Sequence, residues 1–191
     1  MKKGLLIVLS GPSGVGKGTI RKYIMDNFDL KLDYSISMTT RPKREKEVEG
    51  VDYYFVTPEE FQRNIDENNF LEWEEFVGNR YGTPKDKVEE LRNKGHNVLL
   101  EIEVNGANEV FSKINDDRLI SFFLMPPSVD ALEARIRRRK TESEEVIQAR
   151  LNKGKSEMTK TAQYDHVILN DSVARASQEI VDLIKKKIKG R

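Results

Sequence analysis

The sequence predicts an α/β fold in which a parallel sheet is flanked by helices and carries an inserted β-rich subdomain and a helical lid. Three observations predict it. Short runs that are apolar at every position, as strands buried on both faces must be, recur along the chain. They alternate with segments of helical period, which builds right-handed βαβ units around a parallel sheet. Two stretches, 37–85 and about 135–160, break the rhythm in different ways. At 191 residues the chain suits one domain over 1–191, with 1–36 and 86–191 as its core, 37–85 as the insertion and about 135–160 as the lid.

Leu5 to Leu9 is the first apolar run and stops at Ser10-Gly11-Pro12, a turn sequence. Asn97 to Ile102, Leu119 to Met125 (closed by Pro126-Pro127) and His166 to Leu169 have the same character. Helical periods cover Lys17 to Asn27, Lys85 to Lys94 behind Thr83-Pro84, Asn105 to Ile114, Ser128 to Arg139, Glu144 to about Met158 and Ser172 to Ile188. Within the insertion, Asp52 to Val56 and Phe70 to Val77 read as short aromatic strands. One short helix begins at Thr57-Pro58-Glu59-Glu60, with Thr57 as N-cap and Pro58 in the first turn. The stretch from Arg135 to about Lys160 is so heavily charged that its helices are expected to lack an apolar face wide enough for a core, and to form a mobile, exposed lid.

Composition removes several classes of function. With no cysteine there is no disulfide scaffold, thiolate zinc site or thiol nucleophile, and two histidines far apart, His96 and His166, make a poor metal site. A formal net charge of +1 argues against a surface built for nucleic acid. The longest strongly apolar run is too short to span a bilayer and carries no cleavage signal, so a cytoplasmic location is expected.

Directly after the first strand stands Gly11-Pro12-Ser13-Gly14-Val15-Gly16-Lys17-Gly18-Thr19, and a helix follows. Glycines allow a tight turn whose N–H groups point inward, the helix adds its positive dipole end, and Lys17 adds a cation for β- and γ-phosphates. Together they predict a nucleoside triphosphate cradle and a P-loop NTPase-like core. The pattern G-x-x-x-x-G-K-[ST] fails at its last letter, where Gly18 stands and Thr19 follows. The hydroxyl that ordinarily reaches Mg²⁺ is therefore displaced, leaving Thr19 to contact phosphate or, through water, the metal. The cradle alone does not name the phosphate acceptor, because hydrolases, switches and kinases all use it.

Farther along, Ser37-Met38-Thr39-Thr40-Arg41-Pro42-Lys43-Arg44 sets two arginines three residues apart beside hydroxyls, ahead of Tyr53-Tyr54-Phe55. An arginine fork holds phosphate through two hydrogen bonds, and a tyrosine hydroxyl completes such a clamp. Glu72, with Tyr81-Gly82-Thr83, offers a carboxylate that can accept from both the ring N–H and the exocyclic amine of guanine, a pairing adenine does not supply. Glu101 and Glu103 alternate at the end of a buried strand and so face one side, where open α/β sheets keep their sites; there a carboxylate can hold hydrated Mg²⁺ or the guanine edge.

The run from Thr39 to Phe55, with its basic residue three after Arg41, Gly50 and Tyr53-x-Phe55, resembles the signature of guanylate kinases. Phe70-Leu71-Glu72-Trp73, Gly78 to Thr83 and Pro126-Pro127-Ser128 are similar to that family too, and the likeness extends from about Leu5 to Ile184. The resemblance implies transfer of the γ-phosphoryl of ATP to GMP, giving ADP and GDP, in purine nucleotide metabolism, with Mg²⁺ accompanying ATP. It makes 37–85 a GMP-binding subdomain, with Ser37, Arg41, Arg44, Tyr53 and Tyr81 around the GMP phosphate and Glu72, Thr83 and Glu103 toward guanine. Residues Gly11 to Thr19, Arg139 and Asn170 are implied on ATP, with Arg139 on or near adenine; Asn170 also reads as a strand-ending turn. Lys17, Arg41, Arg135 and Arg150 are the implied catalytic cations, and Thr19 and Glu101 the candidates for Mg²⁺ through water. Asn105, where the family often has Gln, and Lys140, where it often has Gly, depart from the pattern. ATP and GMP, and dGMP as an open case, are the implied partners, with no nucleic acid or membrane; oligomeric state stays open. The competing reading is a catalytically inactive guanylate-kinase-like interaction module, which would tend to lose the phosphate loop and lid arginines that this chain retains.

Overall fold

A computed structural model describes residues 2–76, 78–138 and 143–190. Val77 of the expected strand, and Arg139 and Lys140, lie outside the described residues. In chain order the elements are β1 (Leu6–Ser10), α1 (Lys17–Asn27), β2 (Leu32–Tyr34), β3 (Met38–Thr39), β4 (Tyr54–Phe55), α2 (Pro58–Asp66), β5 (Phe70–Phe76), β6 (Asn79–Pro84), α3 (Lys85–Asn93), β7 (Asn97–Glu101), α4 (Val104–Lys113), β8 (Leu119–Met125), α5 (Val129–Arg137), α6 (Glu144–Glu157), β9 (His166–Leu169) and α7 (Val173–Lys189).

The four apolar runs form β1, β7, β8 and β9 of a five-stranded sheet in the order β2-β7-β1-β8-β9, parallel throughout. Their unbroken apolar character follows from burial on both faces. Leu5, Ile7 and Leu9 enter a core with Ile20 and Ile24 of α1 and Ile180 and Ile184 of α7. Leu6 and Val8 point the other way, toward Val88 of α3 and Val104 and Ala107 of α4. Each such side chain, fully withdrawn from water, contributes roughly 1.5–3 kcal/mol. β2 escapes sequence reading because it is a three-residue edge strand, half-buried and with β7 as its one strand partner among the described residues.

The insertion folds as a separate four-stranded sheet, β4-β3-β6-β5, with β3–β6 and β5–β6 antiparallel. The strand expected over Asp52 to Val56 shrinks to Tyr54–Phe55, since Asp52 stays in the preceding turn, where it accepts from the Val48 N–H at 2.7 Å, and Tyr53 makes a single bridge with Glu49. Thr57 does cap α2, accepting from the Glu60 N–H at 3.1 Å. Phe61 and Phe70 stack with centroids 4.5 Å apart over Met38 in a small core. Leu71 does not join it: it sits in the main core with Val104 and Ala107, so β5 is fastened to α4.

The stretch expected to form a mobile, exposed lid is packed on an apolar seam. Leu132 and Ile136 of α5 and Ile147 and Leu151 of α6 make a buried cluster, an apolar stripe narrow enough to be masked by the surrounding charge. α6 also lies on the loop after β1: a Cβ at Gly154 would stand 2.9 Å from the Leu132 side chain and 3.6 Å from that of Pro12.

Arg92 has no counterpart in the sequence reading. It is 1% exposed, donates to the Gly4 carbonyl at 3.1 Å and pairs with Glu89 and Asp116, each at 2.6 Å, tying α3 to the start of β1 and to the turn before β8. Replacing it removes three hydrogen bonds and leaves a void, so Arg92→Met should lower unfolding free energy by about 3 kcal/mol in chemical denaturation. A loss under about 1 kcal/mol would show that the pair's desolvation cancels its attraction.

Candidate functional site

The site is built at the carboxyl ends of β1, β7 and β9, and its loop can close only where the backbone takes left-handed angles. Gly11 has φ 143°, and a Cβ there would stand 2.6 Å from the Leu124 carbonyl oxygen of β8. Gly16, at φ 107°, is the N-cap of α1 and has no side chain to cap the helix, so the first N–H groups of α1 are left to face a ligand. Lys17 folds back over the loop and donates to the carbonyls of Gly11 at 2.7 Å and Pro12 at 3.3 Å. Loss of water around its ammonium pulls the pKa below the usual lysine value, against the pull of Glu103 and Glu101.

Helices α5 and α6 grip this loop. Arg135 donates to the carbonyls of Val15 at 2.8 Å and Asn170 at 2.7 Å, and Arg150 reaches the Ser13 hydroxyl at 2.7 Å. Asn170 is 3% exposed and donates to Val15 O at 2.8 Å, which leaves its Oδ1 a buried acceptor with no partner among the described residues. A cavity of about 440 Å³ opens here between Gly14, Gly16, Thr19, Arg135 and Asn170.

Across from the loop, a cleft of about 200 Å³ brings together Ser37, Tyr53, Glu72, Tyr81, Glu101 and Glu103, each from a different turn or strand. Tyr53 and Tyr81 meet edge to face at 6.0 Å. Glu72, 7% exposed, accepts from the Thr83 hydroxyl at 2.5 Å, and its other oxygen fills the space where a Cβ of Gly106 would come within 2.9 Å. Burial pushes the Glu72 carboxyl up to about 7, with the Thr83 bond opposing and Glu74 and Glu109 assisting. Arg41 and Arg44 do not line the cleft. Glu47 pairs with Arg41 at 2.6 Å and accepts from the Arg44 N–H at 2.8 Å, which holds the Arg41 guanidinium 5.5 Å over the Tyr53 ring.

The end of β7 joins the two halves. Glu101, level with Leu9 of β1, lines the cleft, pairs with Arg21 of α1 at 2.8 Å and stands 3.4 Å from where a Cβ of Gly18 would be. That is ordinary contact, so sterics do not demand glycine at 18. Glu103 is bonded to Lys153 of α6 at 2.8 Å; burial works to raise its carboxyl, but Lys17 and then Lys153 hold it below the usual range.

The Guanylate kinase family model matches residues 3–187. The chain is 51% identical over 182 residues to a guanylate kinase of Mesoplasma florum, covering 95% of this chain and 61% of that protein. It is 50% identical over 184 residues to one of Streptococcus agalactiae, covering 96% of this chain and 87% of the other. A crystal structure of guanylate kinase from Anaplasma phagocytophilum superposes with a TM-score of 0.73 at 32% identity, covering 98% of this chain and 87% of that one. The chain belongs to the guanylate kinase family.

It spans 61% of the length of the Mesoplasma relative, and likewise of one from Mycoplasma capricolum. Of the residues that family resemblance singled out, the structure gathers Gly11 to Thr19, Arg135, Arg150 and Asn170 at the loop and six residues in the cleft, with Thr83 behind Glu72. Arg41 lies at the cleft's edge over the Tyr53 ring, paired with Glu47, Arg44 stands on the same turn, and Arg139 lies outside the described residues. Sequence reasoning missed Arg21, which pairs with Glu101 and stacks 4.2 Å over Tyr34, and Lys153 and Glu157 of α6. For α6 the available signal was spacing: 150, 153 and 157 fall on one helical face.

The raised Glu72 carboxyl has a testable sign. The fold favours its protonated form, so stability is full below the ordinary value of 4.5 and declines as pH rises through about 7, by up to about 3 kcal/mol. Glu72→Gln should therefore raise the melting temperature over the parent at pH 8 and not at pH 4. Equal shifts at both pH values would mean that Glu72 titrates normally.

Proposed function

We propose that this chain transfers the γ-phosphoryl of ATP to GMP, yielding ADP and GDP. The observation that carries the reading is the position of Glu101 and Glu103 between two half-sites of complementary chemistry: a glycine-turned loop with a lysine, and an acidic cleft edged by two tyrosines.

On the donor side, the N–H groups opening α1 and the Lys17 ammonium hold the β- and γ-phosphates once Lys17 leaves the loop carbonyls. The Asn170 Oδ1, without a partner among the described residues, suits the adenine amine as a donor. On the acceptor side, Glu72 accepts from the ring N–H and exocyclic amine of guanine, with Thr83 fixing its rotamer and Glu103 nearby. Ser37, Tyr53 and Tyr81 meet the GMP phosphate, and Arg41 joins them by exchanging Glu47 for it; Arg44 approaches from the same turn. No general base is required, because a phosphate monoester is already an ionised nucleophile and phosphoryl transfer asks chiefly for alignment. Arg135 and Arg150, at Val15 and Ser13, are placed to stabilise charge spreading over the transferring group.

Mg²⁺ fits as a largely hydrated ion. No group of three or more His, Cys, Asp or Glu among the described residues could cage a metal, while Thr19, exposed beside the loop, and Glu101, one oxygen bound to Arg21 and the other toward Gly18, offer hard oxygens. When bound with ATP it would neutralise β- and γ-phosphate charge.

ADP formation with Mg·ATP and each of GMP, dGMP, AMP, CMP and UMP tests this directly. Turnover with the guanine nucleotides, and a fall of about a hundredfold or more in Lys17→Ala, is expected. Folded protein that binds GMP and turns over no acceptor would favour the interaction-module reading instead.

A further inference from the structure

Resting on that reading, we infer that Lys153 is a positioning residue for guanine recognition, a strut by which the lid helix α6 fixes the Glu103 carboxylate. The geometry is one of sequential grips along one helix. Arg150 holds Ser13 of the phosphate loop, Gly154 lies against Pro12, and Lys153 crosses to Glu103 on the acceptor side at 2.8 Å. Through these contacts a single rigid element touches both half-sites, and Lys153 is what carries it to the acceptor cleft.

Lys153 stands between two carboxylates of unequal claim. Glu157, one helical turn on, is 3.7 Å away and 3% exposed, with Oε2 partnerless among the described residues; Glu103 is nearer. Lys153 therefore leans toward the cleft, with the buried Glu157 carboxyl behind it. Its bond takes Glu103 Oε2 and leaves Oε1 available to a ligand in the cleft that Glu103 lines. A carboxylate on a flexible side chain loses rotamer freedom when it binds; one already pinned loses less, so the ligand binds more tightly.

Fold stability does not call for this contact. Lys153 is 51% exposed, and α6 is already seated by Ile147, Leu151 and Gly154. The effect belongs to acceptor binding, not to the donor or to folding.

Steady-state kinetics and GMP calorimetry on Lys153→Met, Lys153→Arg, Glu103→Gln and the double variant Lys153→Met/Glu103→Gln provide the test. Lys153→Met should raise KM and Kd for GMP about fivefold, the scale of a partly exposed hydrogen-bonded ion pair, with KM for ATP unchanged within about twofold. Lys153→Arg should recover most of the loss, and in the Glu103→Gln background Lys153→Met should add nothing. Unchanged GMP affinity in Lys153→Met, an equal rise in KM for ATP, or full additivity with Glu103→Gln would overturn the inference. If the unmodified protein binds GMP without making GDP, the kinase reading fails while calorimetry still decides the role of Lys153; no GMP binding by the unmodified protein removes both.

Discussion

The constraint on which the site depends is the backbone of the loop between β1 and α1. β1 is the central strand, buried on both faces, so its end is fixed by the core; the chain must then reverse against β8 and enter α1 within a few residues. Gly11 permits the first step, because any side chain would meet the Leu124 carbonyl, and Gly16 permits the second with a φ that other residues adopt only under strain. The free N–H groups that result are an anion site by geometry, before any side chain is considered. Arg135, Arg150, Asn170 and Gly154 are all registered against this loop through Val15, Ser13 and Pro12.

A chain of nearly zero net charge concentrates unlike charges here. Carboxylates from β5, β7 and α6 converge with Lys17, Arg21 and Lys153, and their shifts differ by neighbour rather than by depth alone. Glu72 is pushed up by its burial, with Glu74 and Glu109 adding to the push and the Thr83 hydrogen bond opposing it; Glu103, also buried but flanked by Lys17 and Lys153, is held down. Two carboxylates of one cleft thus differ in protonation behaviour: Glu103 stays ionised through the neutral range, while Glu72 loses its proton only as pH rises through about 7, unless a donor reaching it holds it ionised.

The legible parts were those with a strong local signal. Continuous apolar runs announced the parallel sheet, and the glycine spacing with Lys17 announced the phosphate loop, because both patterns are dictated by backbone geometry within a few residues. β2 and β3 left no trace: strands of three and two residues are defined by their partners, not by their own periodicity. The apolar seam between α5 and α6 was hidden because four residues on two helices bury it amid arginine and glutamate. Arg41 pairs with a glutamate six residues on through a turn the sequence does not specify, so its resting position was not foreseeable. Lys153 looks like any lysine on a solvated helix until its distance to Glu103, fifty residues earlier, is known. The chemistry of the cleft residues marked Tyr53, Glu72, Tyr81, Glu101 and Glu103 as candidates, but that these separate segments meet in one cleft is a property of the fold.

The measurement that bears most directly on this account is calorimetric titration of ADP into the unmodified protein and into Gly16→Ala, with thermal unfolding of both as a control. If the left-handed turn at Gly16 creates the anion site, the unmodified protein binds ADP and the variant, still folding cooperatively, binds at least about tenfold more weakly, reflecting strain of about 1–2 kcal/mol or a loop that has moved to relieve it. ADP affinity in Gly16→Ala within about twofold of the parent would contradict it, and would mean that the side chains around the loop, rather than its backbone, hold the phosphates.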